Sequence, residues 1–190
     1  PLTAIAMENQ MKNGRLVELR SSHLRAVVDP AGGGVIRRFD RTRPDGSTLA
    51  LFKPIPDDSR NPLHGGCFPM VPWSNRIGEA RFAYDGRQYC VRANFAPEAH
   101  AIHGEGWLGE WRVLNQSTDA VRLMFEHTDT APARGGWPWP YRAIQDVSLD
   151  GDAMTVHLAL TNQGTTSMPG GMGLHPFFPT LPSARLIARL

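Results

Sequence analysis

Two of the seven histidines stand where an imidazole could move protons. His175 lies in Gly171-Met-Gly-Leu-His175-Pro-Phe-Phe178, an apolar run flanked by glycine and proline. Apolar surroundings disfavour imidazolium, and a ring that changes charge near neutral pH serves as general acid or base. The competing structural reading is a core histidine bonded to a carbonyl. His103 follows His100 by three residues, and His64-x-x-Cys67 precedes both. These side chains are candidate metal ligands. Zinc sites show tighter Cys and His pairs, and a strand would point His100 and His103 to opposite faces, so no metal is expected. Pro72-Trp73-Ser74-Asn75-Arg76 sets a flat ring beside an amide and a guanidinium. That set suits a pyranose, with one apolar face and a rim of hydroxyls. Its structural alternative is a buried Trp73, Asn75 in a turn and Arg76 at the surface. Trp107, Trp111, Trp137 and Trp139 gather near Pro138 and Pro140, and one of them could stack on a sugar. Gly32-Gly33-Gly34 lacks the spacing of a phosphate loop and reads as a turn or bulge.

The elements that must position these residues have a period of two. Val156, Leu158 and Leu160 alternate with Thr155, His157, Ala159 and Thr161. Val121, Leu123 and Phe125 alternate with Arg122, Met124 and Glu126, and Tyr141, Ala143, Val147 and Leu149 fall on one face. Asp85-Gly86, Ser117-Thr118-Asp119 and Asp150-Gly151 separate such runs. Asp-Gly between alternating runs is a hairpin signal, because type I′ turns need positive φ. Hairpins are expected at 16–28, 81–91, 111–127 and 141–161. No stretch longer than two turns has helical period, so the chain reads as all-β, a sandwich or barrel. The irregular stretches 53–80, 93–108 and 129–140 hold most of the Trp, His and Pro, and loops on a β scaffold are the usual place for a site.

Composition narrows the partners. The formal net charge is +2 and charged residues make up 20%, without a basic run or a glycine–aromatic RNA motif, which argues against nucleic acid. No apolar run approaches the ~18 residues of a membrane helix, and the first twenty residues do not read as a secretory signal. Of 20 basic residues 18 are Arg, and Arg37, Arg38, Arg41 and Arg43 form the only cluster. Arginine forks match phosphate, although a solvated strand end explains the cluster as well. Cys67 and Cys90 are expected as free, half-buried thiols of a cytoplasmic protein. Arg-Leu-Ile-Ala-Arg-Leu at 185–190 reads as the start of a strand.

The order of the motifs resembles the aldose 1-epimerase (galactose mutarotase) family from about residue 16 onward. The matching run is Gly66-Cys-Phe-Pro69, Pro72-Trp-Ser-Asn75-Arg76-Ile77, Asn94, His103-Gly104-x-x-Trp107, Trp137-Pro-Trp-Pro-Tyr141 and Met168-Pro-Gly-Gly-Met-Gly-Leu-His175-Pro-Phe-Phe178. The bacterial branch with a Trp-Pro-x-Pro loop is the nearest in pattern. The resemblance implies a large antiparallel β-sandwich and interconversion of the α and β anomers of an aldose through an open aldehyde. It implies that Arg76 and Asn75 bind substrate, that His103 engages the sugar near its ring oxygen, and that His175 protonates that oxygen. Trp73 and Trp107 are candidate sugar-stacking residues. No metal or organic cofactor is implied. The family's catalytic Glu and a substrate-binding Asp are expected beyond Leu190, so residues 1–190 are expected to be the N-terminal portion of one such domain. Glu98, Glu105 and Glu110 lack the context of that base. Two alternatives are a hexose-6-phosphate epimerase and a sugar-binding module without catalysis; monomer and homodimer are both open.

Overall fold

The computed structural model describes residues 15–128, 130–131, 135–180, 185 and 187. The strand expected at 185–190 lies outside the described residues, apart from Arg185 and Ile187.

The described strands are β1 (Val17–Arg20), β2 (Leu24–Asp29), β3 (Val35–Thr42), β4 (Thr48–Ala50), β5 (Cys67–Met70), β6 (Arg76–Ile77) and β7 (Arg81–Tyr84). They continue with β8 (Arg87–Cys90), β9 (Ala101–Ile102), β10 (Arg112–Gln116), β11 (Ala120–His127), β12 (Tyr141–Asp150), β13 (Ala153–Asn162) and β14 (Gly173–Pro176). The only helical elements among the described residues are three single 3-10 turns. Every pairing among the described strands is antiparallel, and the larger sheet runs β1-β2-β3-β5-β14 with β4 on β3. A second sheet runs β10-β11-β12-β13, and β6-β9 and β7-β8 are two-stranded ribbons.

All four expected hairpins form. Asp85 and Gly86 both adopt positive φ between Tyr84 and Arg87, as a type I′ turn requires. At the other Asp-Gly the turn shifts by one residue. Asp150 pairs with Ala153, so Gly151 takes the first turn position at φ 54° and Asp152 the second. Gly32-Gly33-Gly34 is the turn between β2 and β3. Gly33 has φ 81°, and a Cβ there would sit 2.1 Å from the Trp107 carbonyl oxygen.

The two sheets bury their alternating faces against each other. Leu19, Ala26, Val28 and Ile36 of the first share one apolar core with Val121, Leu123, Ala143 and Val147 of the second. Burying the Val, Leu and Ile side chains among them contributes about 1.5–3 kcal/mol each. Gln145 is the polar member of the buried β12 face, and its amide donates to Gly34 O at 3.0 Å across the core. Phe68, Ile102 and Trp107 belong to a smaller cluster at the end of the first sheet. That cluster underlies the two histidines of interest.

Candidate functional site

His175 is carried by β14, where it pairs directly with Phe68 of β5. The Phe68 ring is fully buried and stacks on the imidazole, with centroids 4.7 Å apart and planes at 13°. His103 comes from a different element, the turn after β9. Its ring lies 5.8 Å from Phe68 and 5.1 Å from His175, edge to face. Each histidine is half-buried, and each has a shielded Nδ1 without a hydrogen-bond partner among the described residues. Nε2 is therefore the nitrogen that each ring has left for a ligand. Burial, followed by the charges of His175 and Arg76, holds His103 below the ordinary imidazole pKa.

The turn that presents His103 is forced by a crossing of two chain segments. His103 itself has φ 58°, and its N–H donates to Asn75 O at 2.7 Å. Gly104 has φ 74°, and a Cβ there would lie 1.8 Å from Val71 O, so only glycine lets the two backbones cross. The Glu105 and Gly106 N–H groups both donate to Val71 O, at 2.8 and 3.1 Å. Asn94 clamps the other side. Its Oδ1 accepts Ile102 N–H at 2.8 Å, and its Nδ2 donates to Ile102 O and Gly104 O at 2.8 and 2.9 Å.

Arg76 opens β6 and pairs directly with Ile102, the residue that precedes His103. Its guanidinium donates to Glu98 at 3.0 Å, with the two side chains 50% and 40% exposed. Asn75 has φ 56° and an exposed side chain, and its backbone carbonyl is what anchors His103. The Asn75 carbonyl, the Arg76 charge and the His175 ring thus converge on His103.

The tryptophans differ from the sequence expectation. They do not form one cluster. Trp137 and Trp139 pack on Phe82 and Tyr89 of the β7-β8 ribbon, while Trp111 meets Phe125. Trp107 does not present an open stacking face, because it is 4% exposed, is stacked on Phe68 and donates Nε1–H to Gly104 O at 3.1 Å. It supports the His103 turn from beneath. Trp73 is 8% exposed and leans on Trp137 at 5.0 Å. It also borders a cavity of about 390 Å³ shared with Arg92, Asn94, Glu105, Phe125 and His127, which neither catalytic-candidate imidazole lines.

Other candidates have local partners. His100 Nδ1 accepts Glu79 N–H at 2.9 Å, and His64 Nδ1 meets Ser59 Oγ at 2.8 Å. Among the described residues no three His, Cys, Asp or Glu side chains gather as a metal site. The arginine cluster is not an open basic face. Arg37 is buried beside Asp29 and donates to Pro56 O and Ser59 O, Arg38 pairs with Asp40, and Arg41 with Asp152. The thiols are free but not alike. Cys67 is buried, which pushes its pKa up to about 12, and Cys90 is exposed.

Chain similarity agrees with this fold. The family model for aldose 1-epimerase matches residues 15–187. The protein YphB of Escherichia coli K12, described as uncharacterized, is 40% identical over 157 residues, 83% of this chain and 50% of YphB. A solved E. coli K12 structure with a provisional description as an aldose 1-epimerase superposes with a TM-score of 0.77 at 36% identity, covering 88% of this chain and 53% of that one. A galactose mutarotase-like protein from Clostridium acetobutylicum shares the fold at a TM-score of 0.73 and 20% identity, over 84% of this chain and 49% of that one. This chain belongs to the aldose 1-epimerase family. It spans about half the length of the relatives it matches.

Proposed function

We propose that the intact protein is an aldose 1-epimerase acting on a neutral aldohexose, and that this chain supplies its sugar-binding arginine and its acid. The observation that carries the reading is the pair of imidazoles 5.1 Å apart on the buried Phe68 ring, with Arg76 on the adjoining ribbon. Ring opening requires removal of the C1 hydroxyl proton and delivery of a proton to the ring oxygen. In this proposal His175 delivers that proton and His103, a neutral imidazole, donates a hydrogen bond near the same oxygen. Arg76 and Asn75 bind neighbouring hydroxyls. The C1–O5 bond breaks as O5 is protonated, the aldehyde turns about the C1–C2 bond, and reclosure on either face returns both protons. Two groups with separate proton affinities serve this exchange.

The base that takes the C1 proton is proposed to lie outside these 190 residues. Glu98 already engages Arg76, and Glu105 engages His127. A neutral substrate suits the Glu98–Arg76 pair, since a carboxylate and a guanidinium side by side can accept from one hydroxyl and donate to its neighbour. Polarimetry of freshly dissolved α-D-glucose and α-D-galactose with the intact protein tests the reading. Acceleration over buffer is expected; a rate equal to buffer for both sugars overturns it.

A further inference from the structure

Glu105 leaves the chain two residues after His103 and has no part in the reaction proposed above. Its carboxylate gathers three partners from the second sheet and the segment before it. Oε1 accepts Trp137 N–H at 3.0 Å, and Oε2 accepts the Tyr141 hydroxyl at 3.3 Å. His127 Nδ1 lies 3.0 Å from the same Oε2. The Glu105 N–H meanwhile holds Val71 O, which is the crossing that turns the chain at His103. One residue therefore connects the His103 turn, the 71–76 loop, and strands β11 and β12.

The contact with His127 carries information about protons. His127 Nε2 is 2.8 Å from Trp137 O, and a carbonyl oxygen only accepts. Nδ1 faces a carboxylate oxygen, which accepts as well. Both ring nitrogens face acceptors, an arrangement satisfied on both sides only when one proton beyond that of a neutral ring sits between Nδ1 and Oε2. Removing it turns a nitrogen lone pair toward an oxygen and breaks one side of the tether. Among the described residues, Tyr141 from β12 also faces the pair, and Arg92 lines the cavity that His127 and Glu105 share. Burial, then the Glu105 charge, pushes the Tyr141 phenol far up, so it remains a donor throughout the ordinary pH range.

We propose that Glu105 is a positioning residue for His103 and that it holds the turn through a proton shared with His127. The proposal rests on reading His103 as the imidazole that meets the sugar. The test uses the intact protein with Glu105→Gln and Glu105→Ala. Glutamine can still accept from Trp137 N–H and can donate its amide to a neutral His127, so the tether survives without the extra proton. Alanine removes the tether.

Nitrogen-15 NMR at pH 7 should find both His127 nitrogens protonated in the wild type and one in Glu105→Gln. A wild-type ring protonated on one nitrogen only, with no proton shared to Glu105, overturns the proposal, and this readout needs no variant. Exchange of the His103 amide should quicken about tenfold or more in Glu105→Ala and stay within about threefold in Glu105→Gln, since a lost tether opens the turn locally. Unchanged exchange in the alanine variant overturns the proposal. In mutarotation, kcat should fall about tenfold or more in Glu105→Ala while KM changes less, with rescue in Glu105→Gln, as expected when a reacting group is misaligned. Equal losses in both variants would contradict a positioning role. The NMR and exchange results do not depend on turnover. Their success in a protein inactive on every aldose would overturn the catalytic reading alone and support the tether.

Discussion

Removing the Asn94 side chain should loosen the turn that carries His103, by an amount that its contacts define. Asn94→Ala deletes three hydrogen bonds, to Ile102 N–H, Ile102 O and Gly104 O. The two carbonyls keep a partial partner in Trp107 Nε1–H, at 3.4 and 3.1 Å. The Ile102 N–H is left buried and unpaired. A lost bond costs about 1 kcal/mol net and an orphaned buried donor about 1–3 kcal/mol. With the carbonyls partly served, the sum is about 2–4 kcal/mol. Urea unfolding followed by tryptophan fluorescence reads this as a lower midpoint at unchanged slope. Asn94→Asp keeps the acceptor but turns a carboxylate toward two carbonyl oxygens. It should be at least as unstable at pH 7 and recover on acidification, when its carboxyl can donate. A loss below about 0.5 kcal/mol in the alanine variant, the range of an ordinary surface change, would refute the clamp.

Three further outcomes are expected. Gly104→Ala, with its Cβ 1.8 Å from Val71 O at φ 74°, should cost more than about 4 kcal/mol or prevent folding; a melting temperature near wild type would contradict the crossing. His103 should titrate below about 6.5 by proton NMR, because burial, His175 and Arg76 all oppose its charge. Its contribution to stability is complete above that ordinary value and is lost as pH falls through the lowered one, so a midpoint at or above the ordinary value would contradict it. Because Arg37, Arg38 and Arg41 are paired internally and Arg76 is held by Glu98, any kcat/KM preference for glucose 6-phosphate over glucose should stay below tenfold, about 1.4 kcal/mol; a larger preference would restore a phosphate site.

The strands were legible because their signal is local. Alternation at 121–125, 141–149 and 156–160, with Asp-Gly between runs, determines where hairpins form. The single displacement, at Gly151, concerns which residue enters the turn, and that depends on register with the partner strand. His103, His175, Arg76 and Asn75 could be singled out because their types suit sugar chemistry and their order resembles a family. Asn94 and Phe68 stand in the matching motif run, but the support they give could not be read from it. Asn94 reaches Ile102 and Gly104 only because β9 leaves those backbone groups unpaired toward it. Phe68 lies beneath His175 only through the β5-β14 pairing, across 107 residues of sequence. Trp107 looked like a stacking ring by type alone, but its neighbour Phe68 and its bond to Gly104 O bury it. Glu105 gave no one-dimensional sign of its ties to residues 127, 137 and 141.

The central claim is that His103 and His175 act on one sugar. Anomer-exchange NMR of galactose with the intact protein, comparing His175→Gln, His103→Gln and the double variant, tests it most directly. His175→Gln should slow exchange about 10²–10⁴-fold, the range for loss of a general acid or base. The double variant should lose less than the product of the single losses, since both rings serve one ring oxygen. Wild-type rates in both single variants would contradict the account.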